Sequence, residues 1–269
     1  MFNKSQKMTS LNLPSLGSSP IILMYHGTPR NNPTSKYSIR TSSFIKHLDY
    51  FKKKTWHTAG VNDLSKPELL PNKTVILTFD DGYQDNYEGA FLPLLDHEMK
   101  ATWFITTDCI DKHALWMGTK NEETRMLSIP QLKEMKKHGM EIASHTCSHP
   151  DLSTLSYPNQ LEELKHSKEK LESILSDKIS SFAYPYGRYN QDSIEAVEQA
   201  GYTLACSVRS GFYQNTESPF LIRRVTIFDS DTVSTLARKL AFADNNVSWN
   251  YLSRYYWQRL KKFPISSKK

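Results

Sequence analysis

An α/β fold, a single barrel of parallel strands wrapped by helices, is what the sequence predicts, on three observations. Short apolar runs of strand length alternate with stretches whose apolar residues recur at helical spacing. Several of the runs end in a side chain capable of chemistry followed by a turn residue, which is where α/β sheets and barrels keep their functional groups. The chain of 269 residues fits one barrel-sized domain and is too short for a barrel plus a sizeable second one.

Residues 1–19 are rich in Ser, Asn and Lys and read as a flexible segment; the barrel spans 20–247, and 248–269 form a basic, aromatic tail. The first strand, from Pro20, runs into His26 and Gly27, so His26 is either a functional group or a histidine hydrogen-bonded at a strand end. Phe44, Leu48 and Phe51 mark one face of a helix opened by a Thr41-Ser-Ser cap, and His47 and His57 read as surface or packing residues. Val75, Ile76, Leu77 and Phe79 form the central buried strand, stopped by Gly82. A helix over Asn86 to His97, despite Pro93, and a strand from Ala101 to Thr106 follow. The loop from Asp111 to Thr124 carries Trp116, which either stacks on a sugar or packs inside. Ser128 caps a helix that Gly139 ends, and Met140 to Ser144 is the next strand. Leu161, Leu164, Leu171 and Leu175 mark a long helix whose charges read as a solvated face. A strand, the Tyr184-Pro-Tyr-Gly187 turn and an Asn190-capped helix lead to a strand ending at Cys206. Arg223 and Arg224 open a last strand-like run, and a helix starts after Asp229.

Asp80 and Asp81 stand side by side at the end of the central strand. Adjacent strand residues face opposite sides, so the two carboxylates do different jobs unless the backbone turns sharply, a turn that Gly82 permits. One reading puts one carboxylate on a metal and leaves the other to move protons; the alternative has both capping a helix that begins near Asp85. His145 and His149, four residues apart, fall on one face of a helical turn, close enough to bind one ion. Cys147 between them turns away and reads as packed. Two strand-end clusters of Asp, His and His make a facial metal site with open positions.

Thr78-Phe-Asp-Asp-Gly82, His145-Thr-Cys-Ser-His149 and Tyr184-Pro-Tyr-Gly187 resemble the first three motifs of the polysaccharide deacetylases, carbohydrate esterase family 4, over about residues 20–230. The resemblance implies a distorted (β/α)7 barrel with Asp80 as catalytic base, Asp81, His145 and His149 as ligands of a divalent metal, usually zinc, and the Tyr186 backbone N–H as an oxyanion donor. That family usually takes its general acid from a histidine near the C-terminus, and this chain has none after His166. Met24-Tyr-His26 resembles the first strand of circularly permuted members that deacetylate poly-N-acetylglucosamine, which gives His26 the acid role. The arginine that commonly precedes the Pro-Tyr pair, and orients the base, is replaced by Ala183 and Tyr184; Arg223 or Arg224 is the substitute, and alternation along a strand lets one of them point inward.

The implied function is metal-dependent removal of N-acetyl groups from an N-acetylated sugar or glycan. An O-acetyl ester or non-carbohydrate amide hydrolase on the same site, and a silent glycan-binding barrel, are the alternatives. A net charge of +6 from 34 basic and 28 acidic residues is modest, and no basic run interleaves with aromatics before the tail, so nucleic acid is not a partner. Three widely spaced cysteines argue against a disulfide framework. The N-terminal stretch lacks an apolar core of signal-peptide length, so a cytoplasmic enzyme is expected, one acting on a precursor before export. The tail, with Trp249, Tyr251, Tyr255, Tyr256 and Trp257 ahead of several lysines, has the make-up of a peripheral membrane contact, or packs a last helix on the barrel.

Overall fold

Among the described residues, eight strands make one all-parallel sheet: β1 (Ile21–Tyr25), β2 (His57–Ala59), β3 (Thr74–Phe79), β4 (Thr102–Ile105), β5 (Glu141–Ser144), β6 (Ser181–Ala183), β7 (Leu204–Cys206) and β8 (Val225–Thr226). The computed structural model describes residues 19–31, 33, 35–118, 124–251 and 253; nearly all of the N-terminal segment and most of the tail lie outside these. Seven strands follow the order β7-β6-β5-β4-β3-β1-β8, and β2 pairs with the first half of β3, ahead of the point where β4 takes over. A single parallel bridge from Cys206 to Ile222 brings the two edges of the curled sheet together. The result is the expected distorted barrel, with β1 inserted between β3 and β8.

Alternation along the strands decides what reaches the lumen. Ile22, Ile76, Phe104, Ala143, Ala183 and Cys206 form the inner cluster, whereas Leu23, Tyr25, Leu77, Phe79, Trp103, Phe182 and Val225 belong to the larger core under the helices. The inward rows, extended by two residues at the C-terminal strand ends, arrive at His26, Asp80 and His145, and Arg224, the residue before β8, also turns inward.

The helices are α1 (Thr41–Lys53), α2 (Leu92–Asp96), α3 (Ile129–Lys137), α4 (Tyr157–Leu175), α5 (Gln191–Gln199) and α6 (Val233–Phe242). Ser128 and Asn190 cap α3 and α5 through their side chains, as expected. The Thr41 cap does not form: Arg40 is the boundary residue, and the Thr41 hydroxyl instead donates to the Thr28 carbonyl. A π-helical turn, Tyr87–Phe91, precedes α2 and lets Pro93 sit in the first turn, where its missing N–H costs nothing. Gly89 lies in that turn because a Cβ there would come within 1.9 Å of the Thr28 carbonyl oxygen. Just before it, buried Asn86 donates to the His26 carbonyl (2.9 Å) and accepts from the Trp103 indole (3.1 Å), which ties the end of β1 and a core side chain of β4 to the loop after β3.

Behind β1 a buried polar network joins α1 and α6. His47 accepts from the Tyr25 hydroxyl (3.2 Å) and donates its other ring N–H to the Asp231 carbonyl (3.2 Å), while the Asp231 carboxylate pairs with Lys239. Burial is the main reason His47 titrates at about 4 rather than 6.5, though the Asp231 carbonyl and carboxylate oppose it. Between those values the unfolded chain binds a proton that the folded protein refuses. Stability should therefore fall as pH drops from about 6.5 to about 4, by on the order of 3 kcal/mol. His47→Gln should flatten that part of a urea-denaturation pH profile.

Candidate active site

A cleft of about 580 Å³ opens at the C-terminal ends of the strands, lined by Met24, His26, Asp80, Asp81, His145 and His149 among others. Another cavity, about 660 Å³, lies at the opposite strand ends around Trp56, His57 and Leu69 and contains none of the motif residues.

Asp80 continues the inward row of Ile76 and Thr78, and its N–H is held by the Tyr25 carbonyl at 3.0 Å. Asp81 should then face away, but its φ of +75°, followed by +92° at Gly82, folds the chain back and returns its carboxylate to the lumen. The sharp turn thus begins at Asp81 itself. Left-handed backbone at such a residue costs on the order of 1–3 kcal/mol. The turn is held by hydrogen bonds from Thr106 N–H to the Asp81 carbonyl (3.2 Å) and from Leu127 N–H to the Gly82 carbonyl (2.9 Å).

His145 and His149 converge by a route other than the expected helical turn. Thr146 and His149 both have left-handed backbone (φ +66° and +65°), so the segment is a tight loop. The Thr146 hydroxyl accepts from the His149 N–H (3.1 Å), and Glu163 of α4 accepts from the N–H groups of Cys147 (2.9 Å) and Ser148 (3.0 Å) and the Ser148 hydroxyl (2.7 Å). Glu163 therefore anchors the ligand loop, a task invisible in a helix whose charges read as a solvated face. Cys147 is buried and free, as expected.

One oxygen of Asp81 lies 3.4 Å from His145 Nε2 and 3.2 Å from His149 Nε2, and candidate ligand atoms of the three buried residues all fall within 4.8 Å of one another. His145 donates Nδ1–H to the Ala183 carbonyl at 2.8 Å, which leaves the Nε2 lone pair facing Asp81. Burial alone would push the Asp81 carboxyl up, but the two histidine side chains against it hold it well below the usual range; burial also lowers His149, favouring neutral imidazole. An ionised carboxylate beside available imidazole nitrogens is a donor set that fits a divalent cation.

Asp80 meets the buried Arg224 end on: Nη1 to Oδ1 at 2.5 Å and Nη2 to Oδ2 at 2.8 Å, with further guanidinium bonds to Thr78 (3.1 Å) and the Ser207 carbonyl (3.0 Å). Burial would raise the Asp80 carboxyl, yet the Arg224 charge, the nearby histidines and these hydrogen bonds hold it below its ordinary value. Arg223 faces the other way and pairs with the half-buried Glu217. Of the two arginines, the structure brings Arg224 to Asp80.

His26 reaches the cleft from β1, its ring against Tyr37 (centroids 5.3 Å apart) and its Nδ1 buried without a hydrogen-bond partner among the described residues. Tyr186 has left-handed backbone (φ +57°) and an exposed ring set edge-on to His149. Trp116 is neither buried nor a free platform: it stacks on His149 at 4.1 Å.

A donor set that fits a divalent cation, next to a separate carboxylate that stays ionised, is the equipment expected of a metal-dependent hydrolase. Known proteins resemble this chain in sequence and in fold. A family model described as polysaccharide deacetylase matches residues 69–205, which hold Asp80, Asp81, His145, His149 and Tyr186 but neither His26 nor Arg224. YxkH of Bacillus subtilis (strain 168), which bears the same family name, is 30% identical over 210 residues, 77% of this chain and 70% of that protein. A Staphylococcus aureus (strain N315) protein named poly-beta-1,6-N-acetyl-D-glucosamine N-deacetylase is 27% identical over 212 residues, 72% of this chain and 69% of its own. The solved structure of the Streptococcus pyogenes deacetylase PplD in complex with acetate is 28% identical and superposes with a TM-score of 0.73 over 83% of this chain and 99% of that one. The chain belongs to the polysaccharide deacetylase family, and is a carbohydrate deacetylase by class.

The contrast between the two arginines gives a direct stability test. Arg224→Met leaves Asp80 buried and unpaired and should cost about 3–5 kcal/mol in urea denaturation. Arg223→Met, which breaks a pair nearer the surface, should cost no more than about 1 kcal/mol.

Proposed function

We propose that the protein hydrolyses the N-acetyl groups of an N-acetylglucosamine polymer, releasing acetate and leaving free amino sugars, with zinc held by Asp81, His145 and His149. The observation that carries this reading is the Arg224-held Asp80 beside that triad in one cleft. The polymer class is supported by the 27% identical relative whose name is that of a poly-β-1,6-N-acetylglucosamine deacetylase. Two imidazoles and one carboxylate suit zinc. When bound, such an ion supplies Lewis-acid polarisation to a carbonyl and to a water.

The remaining work falls to the chain's own groups. Asp80, ionised and oriented by Arg224, takes the proton of the attacking water as general base. The Tyr186 N–H, set at a left-handed turn after Pro185, donates to the oxyanion as it develops; it is a donor positioned before charge appears. His26, entering from β1, gives a proton to the departing amine nitrogen. Tyr37 packs on the His26 ring and sets its angle at the rim.

Acetate release from N-acetylglucosamine oligomers, measured with and without chelator and with zinc restored, tests the reading. Release that chelator stops and zinc restores is expected; release confined to O-acetylated glycans, or indifferent to chelator, would overturn it. His26→Ala should lower turnover by about 10²- to 10⁴-fold while metal content stays unchanged. A variant with near-normal turnover would assign the acid elsewhere.

A further inference from the structure

His149 is braced differently from its partner in the triad. His145 has the hydrogen bond to a backbone carbonyl that normally fixes the tautomer and angle of a metal-binding imidazole. His149 Nδ1 is buried and has no hydrogen-bond partner among the described residues. Its ring is held through its faces and edges. Trp116 lies over it with centroids 4.1 Å apart and planes 21° from parallel, and Tyr186 meets it at 4.5 Å and 71°.

Trp116 is fixed in turn from the other side of the site. The Tyr83 side chain stands in the cleft beside both Trp116 and Asp81, with its hydroxyl near each of them. An indole N–H can only donate and a carboxylate can only accept, so a relay between them through the Tyr83 hydroxyl has one direction, from Trp116 to Asp81. Tyr83 is itself secured: it bridges to Met126 through the backbone and packs with Cys109, Ala114 and Met126 in a small apolar cluster on which Trp116 rests.

We propose that Trp116 and Tyr83 are positioning residues that tie two of the three metal ligands together. The indole face sets the His149 ring, whose Nδ1 has no hydrogen-bond partner among the described residues, and the indole N–H, through Tyr83, orients Asp81. One aromatic residue from the loop after β4 thereby couples the ligand on β5's loop to the ligand on β3's turn. This inference rests on the reading of Asp81, His145 and His149 as metal ligands.

The test uses the full chain stripped of metal, with Zn²⁺ affinity measured by competition against a chromophoric chelator and Co²⁺ absorption as a readout of ligand geometry. Trp116→Ala should weaken Zn²⁺ binding by about 10- to 100-fold, the usual effect of losing a group that orients a ligand, and should shift the Co²⁺ spectrum. Trp116→Phe and Tyr83→Phe keep the rings but each cuts the same relay, so each should lose a smaller part of that affinity. The double Phe variant should lose no more than either single one, since both changes remove one shared link. Zn²⁺ affinity and a Co²⁺ spectrum unchanged in Trp116→Ala, or additive losses in the double Phe variant, would overturn the inference. Should Trp116→Ala fail to fold, the Phe cycle decides alone. A wild-type chain that takes up neither ion would overturn the metal reading and this inference with it, whereas wild-type uptake with indifferent variants would overturn the inference only.

Discussion

The backbone reversal at Asp81 is the constraint on which the site depends. An undistorted strand would send Asp80 into the lumen and Asp81 into the layer under the helices, and one cleft could not hold both carboxylates. The left-handed turn brings them into the same space in different company: Asp80 against the Arg224 guanidinium, Asp81 against two imidazoles. Such strain persists where its surroundings over-determine it. Here the β4 end and the segment before α3 bind the turn on both sides, and the same segment ends the loop that delivers Trp116.

Arg224 ties the placement of β8 to the orientation of Asp80. A buried guanidinium is tolerable because both of its edges are used, by Asp80 and by Thr78 and the Ser207 carbonyl. It arrives there because β8 pairs with β1, and β1 with β3, so the last strand lies one strand away from the central carboxylates. The same insertion of β1 brings His26 to the rim beside Asp80. The two residues that fall outside the family match are thus carried by the neighbouring strands β1 and β8, a physical basis for the resemblance to permuted members.

Much of this was legible in the sequence, for local reasons. Val75 to Phe79 could only be a buried strand, Gly82 had to follow it, and caps such as Ser128 and Asn190 announce themselves within three residues. What escaped depends on distant or backbone geometry. The spacing of His145 and His149 suggested a helical turn, whereas two left-handed residues and Glu163, a helix away in sequence, make the loop. Thr41 looked like a cap because hydroxyls usually serve the nearest N–H; here the Thr28 carbonyl was available across the fold. Alternation limited the choice between Arg223 and Arg224 to one, but only the register of β8 against β1 selects which. Trp116 gave no sign of its partner, since stacking on His149 depends on a loop path that no periodicity encodes.

The division of labour between two adjacent carboxylates is the central claim, and metal content measures it most directly. Asp80→Asn and Asp81→Asn should be purified alongside the wild type, loaded with zinc, freed of excess and assayed for bound metal and acetate release. Full metal with no turnover in Asp80→Asn, and loss of both in Asp81→Asn, is the predicted result. Metal lost from Asp80→Asn but retained in Asp81→Asn would reverse the assignment and contradict the account.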